Sequence, residues 1–257
     1  MKKVILFLTV LIVMLGLFAA LEYTQEPAEY LQETAETTPT PEPTPEPAPT
    51  FDPALFSDTD SLLIVANKSH KLPDGYVPAD LVRPNITCGG DCRMREPAAR
   101  AAEEMFAAAA EDGVYLKISS AYRGEDYQSA LYWGYVGSYG VETADTISSR
   151  PGYSDHQTGL CADFIEGDGS MNGINFNPSF EDTASGTWLR EHAHEYGFIM
   201  RYPKDKQDIT GYAYEPWHYR YIGVEYATAI WEKDVFYSFE EYFGVTGGDY
   251  IEEPPLG

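Results

Sequence analysis

Two short segments of this chain carry residue types suited to one kind of chemistry. Residues 154–163 read S-D-H-Q-T-G-L-C-A-D, and residues 215–219 read E-P-W-H-Y. They supply two histidines, His156 and His218, together with Asp163 and Glu215. Imidazole nitrogen and carboxylate oxygen are the donors that a catalytic zinc takes in threes, leaving a fourth position for water and a base beside it. His156, Asp163 and His218 are therefore the candidate ligands of one zinc ion per chain. Glu215 is the candidate general base toward water and then acid toward a leaving amine.

Local sequence constrains how these groups are presented. Gly159 and the apolar run Leu160, Cys161, Ala162 argue for a loop followed by a strand between His156 and Asp163, rather than a helix. Pro216 pushes Glu215 out of the α region, so E-x-x-H here is not a helical motif. Glu215 then sits on an extended turn or strand end, near the metal without ligating it. His192 and His194 are two apart in a helical stretch and point to different faces, which suits packing or surface roles. His70 lies in a polar stretch with no sequence neighbours of that kind. Arg123 falls where a strand gives way to a helix. A guanidinium there can grip a carboxylate through two bonds, or it can pair with Glu125 or Asp126 at the surface.

The elements that must hold these residues are legible as an irregular mixture. A helix is predicted from Pro97 to its stop at Gly113, with Ala102, Met105, Phe106 and Ala109 on one face. A strand is predicted over Val114–Ser119. A second helix follows Arg123, with Gln128, Leu131, Tyr132 and Tyr135 on one face. Leu160–Ile165 reads as a buried strand, Trp188–Tyr196 as a helix stopped by Gly197, Phe198–Tyr202 as a strand and Val224–Asp234 as a helix. Ser238 and Glu241 have the spacing of a capping box for a short last helix. Helices and strands without regular βα alternation give the fold class α+β.

Composition places this domain. The chain has 257 residues with 44% apolar and 14% aromatic content, enough for one domain with a sizeable core plus appendages. Its net charge of −24 argues against a nucleic-acid partner, which needs a basic face. Lys2 and Lys3 precede an apolar run from Val4 to Leu21 with no clean small-x-small cleavage site. This favours an uncleaved membrane anchor over residues 1–21, with a cleaved secretory signal as the alternative. Residues 22–55 form an acidic, proline-rich stalk expected to be extended and without a core. Glu22 to Asp60 holds ten Asp and Glu and no Lys or Arg. The folded domain is expected over 56–245, beginning in earnest at Ser61–Ala66, with a tail at 246–257. Cys88 and Cys92 are spaced for a small disulfide loop outside the cytosol, which is favoured over free thiols. Cys161, in its apolar run, reads as a buried small side chain rather than a nucleophile.

The motifs taken together resemble the VanY-type D-alanyl-D-alanine carboxypeptidases. The likeness is carried by S-x-H-x-x-G-x-x-x-D and E-P-W-H-Y-R-Y, and also by S-A-Y-R-G at 120–124, P-G-Y-S-D-H-Q-T-G at 151–159 and Y-G-F-I-M-R-Y-P at 196–203. It covers about residues 61–245 in the family's order. Two departures are slight: Cys161 stands where alanine is common, and Asp155 where glutamate is common.

The resemblance implies a small antiparallel sheet with helices packed around it and the zinc on the sheet. It implies ligands at His156, Asp163 and His218, the base at Glu215, and Arg123 holding the substrate's terminal carboxylate or the developing oxyanion. Ser154 and Gln128 would be substrate contacts. The implied activity is removal of a C-terminal D-alanine from peptidoglycan stem peptides, outside the cell membrane, with no protein partner expected. An L,D-carboxypeptidase acting on tetrapeptide stems, an endopeptidase and a non-catalytic wall-binding module are the competing readings.

Overall fold

The computed structural model describes residues 50–167 and 176–251. The expected anchor and most of the stalk lie outside them. Among the described residues, no helix is long and apolar enough to cross a membrane.

Strands β1 (Leu81–Val82) and β2 (Met94–Arg95) pair antiparallel and lead into helix α1 (Glu96–Glu111). Pro97 occupies the first turn of α1, where its missing N–H costs nothing. The buried stripe of α1 is Ala98, Ala99, Ala102, Met105, Phe106 and Ala109. Four alanines in that stripe let the helix lie close to its neighbours. After β3 (Leu116–Ser120) come α2 (Glu125–Tyr139) and α3 (Val141–Ile147), then β4 (Cys161–Glu166). Helix α4 (Ala184–His192), strand β5 (Phe198–Met200), the short α5 (Gln207–Thr210), β6 (His218–Tyr221), α6 (Val224–Lys233) and α7 (Phe239–Phe243) complete the domain. The mixture is α+β, as expected.

Four strands form one antiparallel sheet in the order β3-β4-β6-β5. Side chains alternate across it, and this alternation divides core from chemistry. Ala162 and Phe164 of β4, Tyr219 of β6, and Phe198 and Met200 of β5 join α1 and Trp188 and Leu189 of α4 in the main core. Their neighbours one residue along, Asp163, His218, Arg220 and Cys161, belong to the opposite face. A second core forms where Leu63, Val65, Ile199, Ile222 and Ile230 meet Phe239 and Phe243. Phe51 and Phe56 add their rings there, with Phe51 4.8 Å from Phe243 and Phe56 5.6 Å from it.

Several predicted elements shift at their ends. The fourth helix begins at Ala184 rather than Trp188, because the Thr183 side chain accepts a bond from Gly186 N–H and caps it there. Residues 193–196 continue as a 3-10 turn. In α2 only Gln128 and Tyr132 of the predicted face are buried. Leu131 and Tyr135 border a cleft instead. The capping box at Ser238 and Glu241 forms with both reciprocal bonds. Cys88 and Cys92 are joined as a disulfide.

Beneath the sheet's polar face lies a buried ion pair that ties distant segments together. Arg201 donates to Glu240 through Nη1 (2.9 Å) and Nη2 (2.7 Å), and both side chains are 1% exposed. Asn67 donates to the same carboxylate at 3.0 Å and to Thr246 O at 2.9 Å. Farther along, Tyr250 accepts a bond from Arg150 N–H, and its ring lies 3.8 Å from the Arg150 guanidinium. Removing one partner of a buried pair strands the other charge away from water. Glu240→Gln is expected to lower unfolding free energy by about 3–5 kcal/mol, read from urea denaturation followed by tryptophan fluorescence. A change within about 0.5 kcal/mol would show that the pair is not a structural tie.

Candidate metal centre

The polar face of the sheet is built by register. Asp163 of β4 pairs directly with His218, the first residue of β6, and with Ser120 at the end of β3. A β-bulge falls between Ile118 and Ser120. It redirects the chain so that Ala121–Arg123 leave the sheet edge toward His156, a use of bulges common beside active sites. The Arg123 N–H donates to His156 O at 3.3 Å.

His156 lies in the 3-10 turn Asp155–Thr158, closed by Thr158 Oγ1 donating to Asp155 O at 2.6 Å. Gly159 follows with φ +68°, and a Cβ there would come within 2.9 Å of Leu81. Both facts call for glycine at this point of the motif. The His156 Nδ1–H donates to Ala121 O at 2.7 Å, which leaves the Nε2 lone pair free.

The donors converge. His156 Nε2 is 3.5 Å from Asp163 Oδ2, His218 Nδ1 is 3.4 Å from Asp163 Oδ1, and the same Nδ1 is 3.3 Å from Glu215 Oε2. The two imidazole rings meet edge to face with centroids 4.7 Å apart. Donors about 2.0–2.1 Å from a tetrahedral zinc are separated by roughly 3.3 Å, so these spacings suit that ion. Asp163 Oδ1 is buried without a hydrogen-bond partner, a state that a cation would relieve. The residues present fit zinc.

Electrostatics favour a cation here. Burial opposes ionisation of Asp163, but His156, His218 and Arg123 outweigh it and bring its carboxyl down to about 2. Burial also opposes charge on His218, yet Cys161, Asp155 and Glu215 raise its pKa well above the usual value. His156 is raised too, with Cys161 and Asp163 overcoming burial and Arg123. A pocket that makes both imidazoles more basic is electronegative.

Glu215 stands where Pro216 predicted, on irregular backbone just before β6. Its N–H donates to Tyr202 O at 3.1 Å, and its C=O accepts from His218 N–H at 3.2 Å. Its side chain is 18% exposed, against 4% for His218, so it borders the cleft. That cleft has a volume of about 540 Å³, with Arg123, Ser154 and Tyr214 also on its walls.

Arg123 pairs with neither Glu125 nor Asp126. It donates from Nε to Gln128 Oε1 at 3.1 Å and from Nη1 to Ser120 Oγ at 3.1 Å, and Nη1 lies 3.8 Å from Asp163. Gln128 is fully buried behind it. The Gln128 amide donates to Ser148 Oγ and Ser149 O at 3.1 and 2.7 Å, so this side chain holds Arg123 and is not on the cleft wall. His192 and His194 lie elsewhere, with His192 Nδ1 3.0 Å from Glu195 and His194 stacked on Trp231 at 4.1 Å. His70 bonds to Asn67.

Two residues of the site were not assigned to it from sequence. Asp155 is fully buried. Its Oδ1 accepts from Arg220, while its Oδ2 lies 3.5 Å from His218 Nε2 and 4.0 Å from Arg201. Burial opposes its ionisation, but Arg220, His218 and Arg201 outweigh that and hold its carboxyl below the usual range. This carboxylate faces the far nitrogen of His218 and so turns Nδ1 toward Asp163. The other residue is Cys161. It is buried as predicted, but its sulfur lies with a nitrogen of His156 and a nitrogen of His218, all within 4.8 Å of one another. Strand alternation is the signal that could have found it, since Cys161 and Asp163 share a face.

Buried N/O donors, an adjoining carboxylate and a cleft opening on them have the makeup of a hydrolytic metal centre. Comparison with known proteins agrees. Residues 91–224 match the family described as VanY, D-alanyl-D-alanine carboxypeptidase. A putative carboxypeptidase, YodJ of Bacillus subtilis, is 40% identical over 189 residues, spanning 72% of this chain and 67% of that protein. The solved LdcB LD-carboxypeptidase is 36% identical with a TM-score of 0.69, covering 77% of this chain and 99% of that one. A mutant of the vancomycin-resistance D,D-pentapeptidase VanY in complex with Zn(II) is 32% identical with a TM-score of 0.58, covering 70% and 97%. This chain belongs to the VanY D-alanyl-D-alanine carboxypeptidase family.

Asp155→Asn is expected to weaken zinc binding by about 10–100-fold, measured by competition with a chromogenic chelator while circular dichroism reports the fold. Unchanged affinity in a folded variant would remove Asp155 from any role in orienting His218.

Proposed function

We propose that this chain is a zinc-dependent carboxypeptidase that removes the C-terminal D-alanine from peptidoglycan stem peptides. Its zinc is held by His156 Nε2, Asp163 and His218 Nδ1. The observation that carries this reading is the convergence of His156 Nε2 and His218 Nδ1 on the Asp163 carboxylate, at 3.5 and 3.4 Å, with Glu215 3.3 Å from His218 Nδ1 at the cleft edge.

When bound, zinc supplies Lewis acidity toward the scissile carbonyl and toward water. The protein's residues do the rest. Glu215 takes a proton from the attacking water as the new C–O bond forms. It returns that proton to the departing nitrogen as the C–N bond breaks, which releases free D-alanine. Arg123, held by Gln128 and Ser120, presents its remaining donors to the substrate's terminal carboxylate. Gln128 therefore acts on substrate through Arg123, whereas Ser154 on the cleft wall is placed for direct contact. Recognition of a free carboxylate favours trimming of the chain end over internal cleavage.

A second reading concerns the stereochemistry of the bond cut. The LD-carboxypeptidase LdcB superposes with a TM-score of 0.69, against 0.58 for the D,D-enzyme VanY. Both kinds of enzyme are thus among the similar structures, so tetrapeptide stems with an L,D bond are a second substrate to test. The site of action is extracytoplasmic, with attachment to the membrane through residues 1–21 as part of the proposal. Net charge of −24 leaves nucleic acid outside the set of partners.

The deciding experiment offers zinc-loaded protein two stems, one ending in L-Lys-D-Ala-D-Ala and one in L-Lys-D-Ala, with products read by mass spectrometry. Loss of D-alanine from the longer stem alone establishes the D,D-enzyme, and loss from the shorter stem makes it an L,D-enzyme. If zinc is bound and neither is cut, the reading fails for these stems. Glu215→Gln should retain zinc by metal analysis and lose about 10²–10⁴-fold in kcat. Full turnover in that variant would dismiss Glu215 as the base.

Arg123→Ala removes a charged grip worth about 1.5–3 kcal/mol, so kcat/KM should fall roughly 10–150-fold. A stem whose terminal carboxylate is amidated should show little further loss in this variant. An equal loss on both stems would mean that Arg123 serves something other than that carboxylate.

A further inference from the structure

The Cys161 thiol plays no part in the mechanism above, yet it is buried against the metal centre. It shares the polar face of β4 with Asp163, two residues away, and pairs across the ladder with Arg220. Arg220 is directed elsewhere, to Asp155, Leu62 O and Ile64 O. The Cys161 sulfur is fully buried, and it lies with one nitrogen each of His156 and His218, all within 4.8 Å of one another. A further atom points to a cation at this spot. Asp163 Oδ1 is buried and without a hydrogen-bond partner, in a side chain only 7% exposed.

We propose that this pocket has a second metal-binding mode, in which the Cys161 thiolate joins His156 and His218 around a thiophilic divalent cation such as cadmium. The inference rests on the placement of zinc at the two histidines. Thiolate is a soft donor and carboxylate a hard one, so adding Cys161 to the donor set favours soft ions. On ligation the S–H bond breaks, the metal–sulfur bond forms, and the proton leaves to solvent.

The two modes differ in consequence. Three N/O donors leave a fourth position open, as a catalytic zinc requires. With sulfur added to His156, Asp163 and His218, four protein donors surround the ion and the centre closes, as in structural sites. A soft cation would thus be held in a form that admits no water. Cadmium should inhibit by occupying the centre itself.

The test uses the full-length protein with the Cys88–Cys92 disulfide kept oxidised. Metal-free wild type, Cys161→Ala and Cys161→Ser are titrated with Cd²⁺ and, separately, with Co²⁺. Wild type should show thiolate-to-cadmium charge-transfer absorption that saturates at one equivalent, and both variants should lose it. All three should keep the visible ligand-field bands of bound Co²⁺, which also shows that the variants fold. Ligand-field bands without any thiolate band in wild type would overturn the proposal and leave the zinc site standing. A thiolate band that persists in both variants would show that it does not come from Cys161 and overturn it as well. Absence of Co²⁺ ligand-field bands in wild type would bring down the metal centre itself, and this proposal with it.

Discussion

One buried negative charge organises this domain. Asp155 is shut away from water, and a carboxylate there persists only where cations and donors meet it. Arg220 and Arg201 supply the positive charge. Each of them must then satisfy its own remaining N–H groups. Arg220 spends its other donors on Leu62 O and Ile64 O, fixing the segment that enters the domain. Arg201 takes Glu240 in α7, and Glu240 takes Asn67. Chain segments from residue 62 to residue 246 thus close around a single side chain. The carboxylate's other oxygen faces His218. Apolar side chains of the same shape could fill this volume at no loss of stability, but they could not orient an imidazole. The network's rationale is the aim of His218, and the fold is arranged to keep it dry.

The division between rigid and irregular backbone follows the demands on each group. Asp163 and His218 are adjacent across a ladder of a central strand pair, where position is set by sheet geometry to within fractions of an ångström. His156 comes from a tight turn, but its Nδ1–H is pinned to the Ala121 carbonyl, which follows the bulged edge of β3. Glu215 has a different task. As the proposed base it would give and take a proton between two partners, and it stands on backbone outside any strand or helix. Its carbonyl and N–H are tied to His218 and Tyr202, so the backbone is held in place.

What could be read from sequence, and what could not, separates by range. Features decided within a few residues were legible. The capping box at Ser238, the proline entry and glycine exit of α1, and the non-helical setting of Glu215 before Pro216 all follow from local sterics and hydrogen bonding. Features decided by distant partners were not. Nothing within S-D-H-Q-T marks Asp155 as buried, because Arg201 and Arg220 lie far along the chain. Gln128 was placed on a substrate wall, but its partners Ser148 and Ser149 come from the end of α3 and cover it. Leu131 and Tyr135 obey the helical period of a buried face, yet the groove they border is open. Periodicity reports which side of a helix is apolar, but not whether a core or a cleft receives it.

Charge poses a last physical question, since a chain of net charge −24 is proposed to bind a ligand that ends in a carboxylate. Distribution answers it. Ten of the 41 acidic residues fall between Glu22 and Asp60, ahead of the main body of the domain. Inside the cleft the balance is local. Arg123 is only 20% exposed, less screened than a surface charge, and its nearest acid is Asp163 at 3.8 Å. With Asp163 committed to a divalent ion, as proposed, its charge is more than neutralised, and the acid nearest Arg123 no longer opposes a carboxylate there. In the proposed mechanism, the cation that activates the carbonyl therefore also completes the site for the carboxylate. Substrate recognition and catalysis become linked through Asp163, and a metal-free protein should be a poor binder as well as an inactive one.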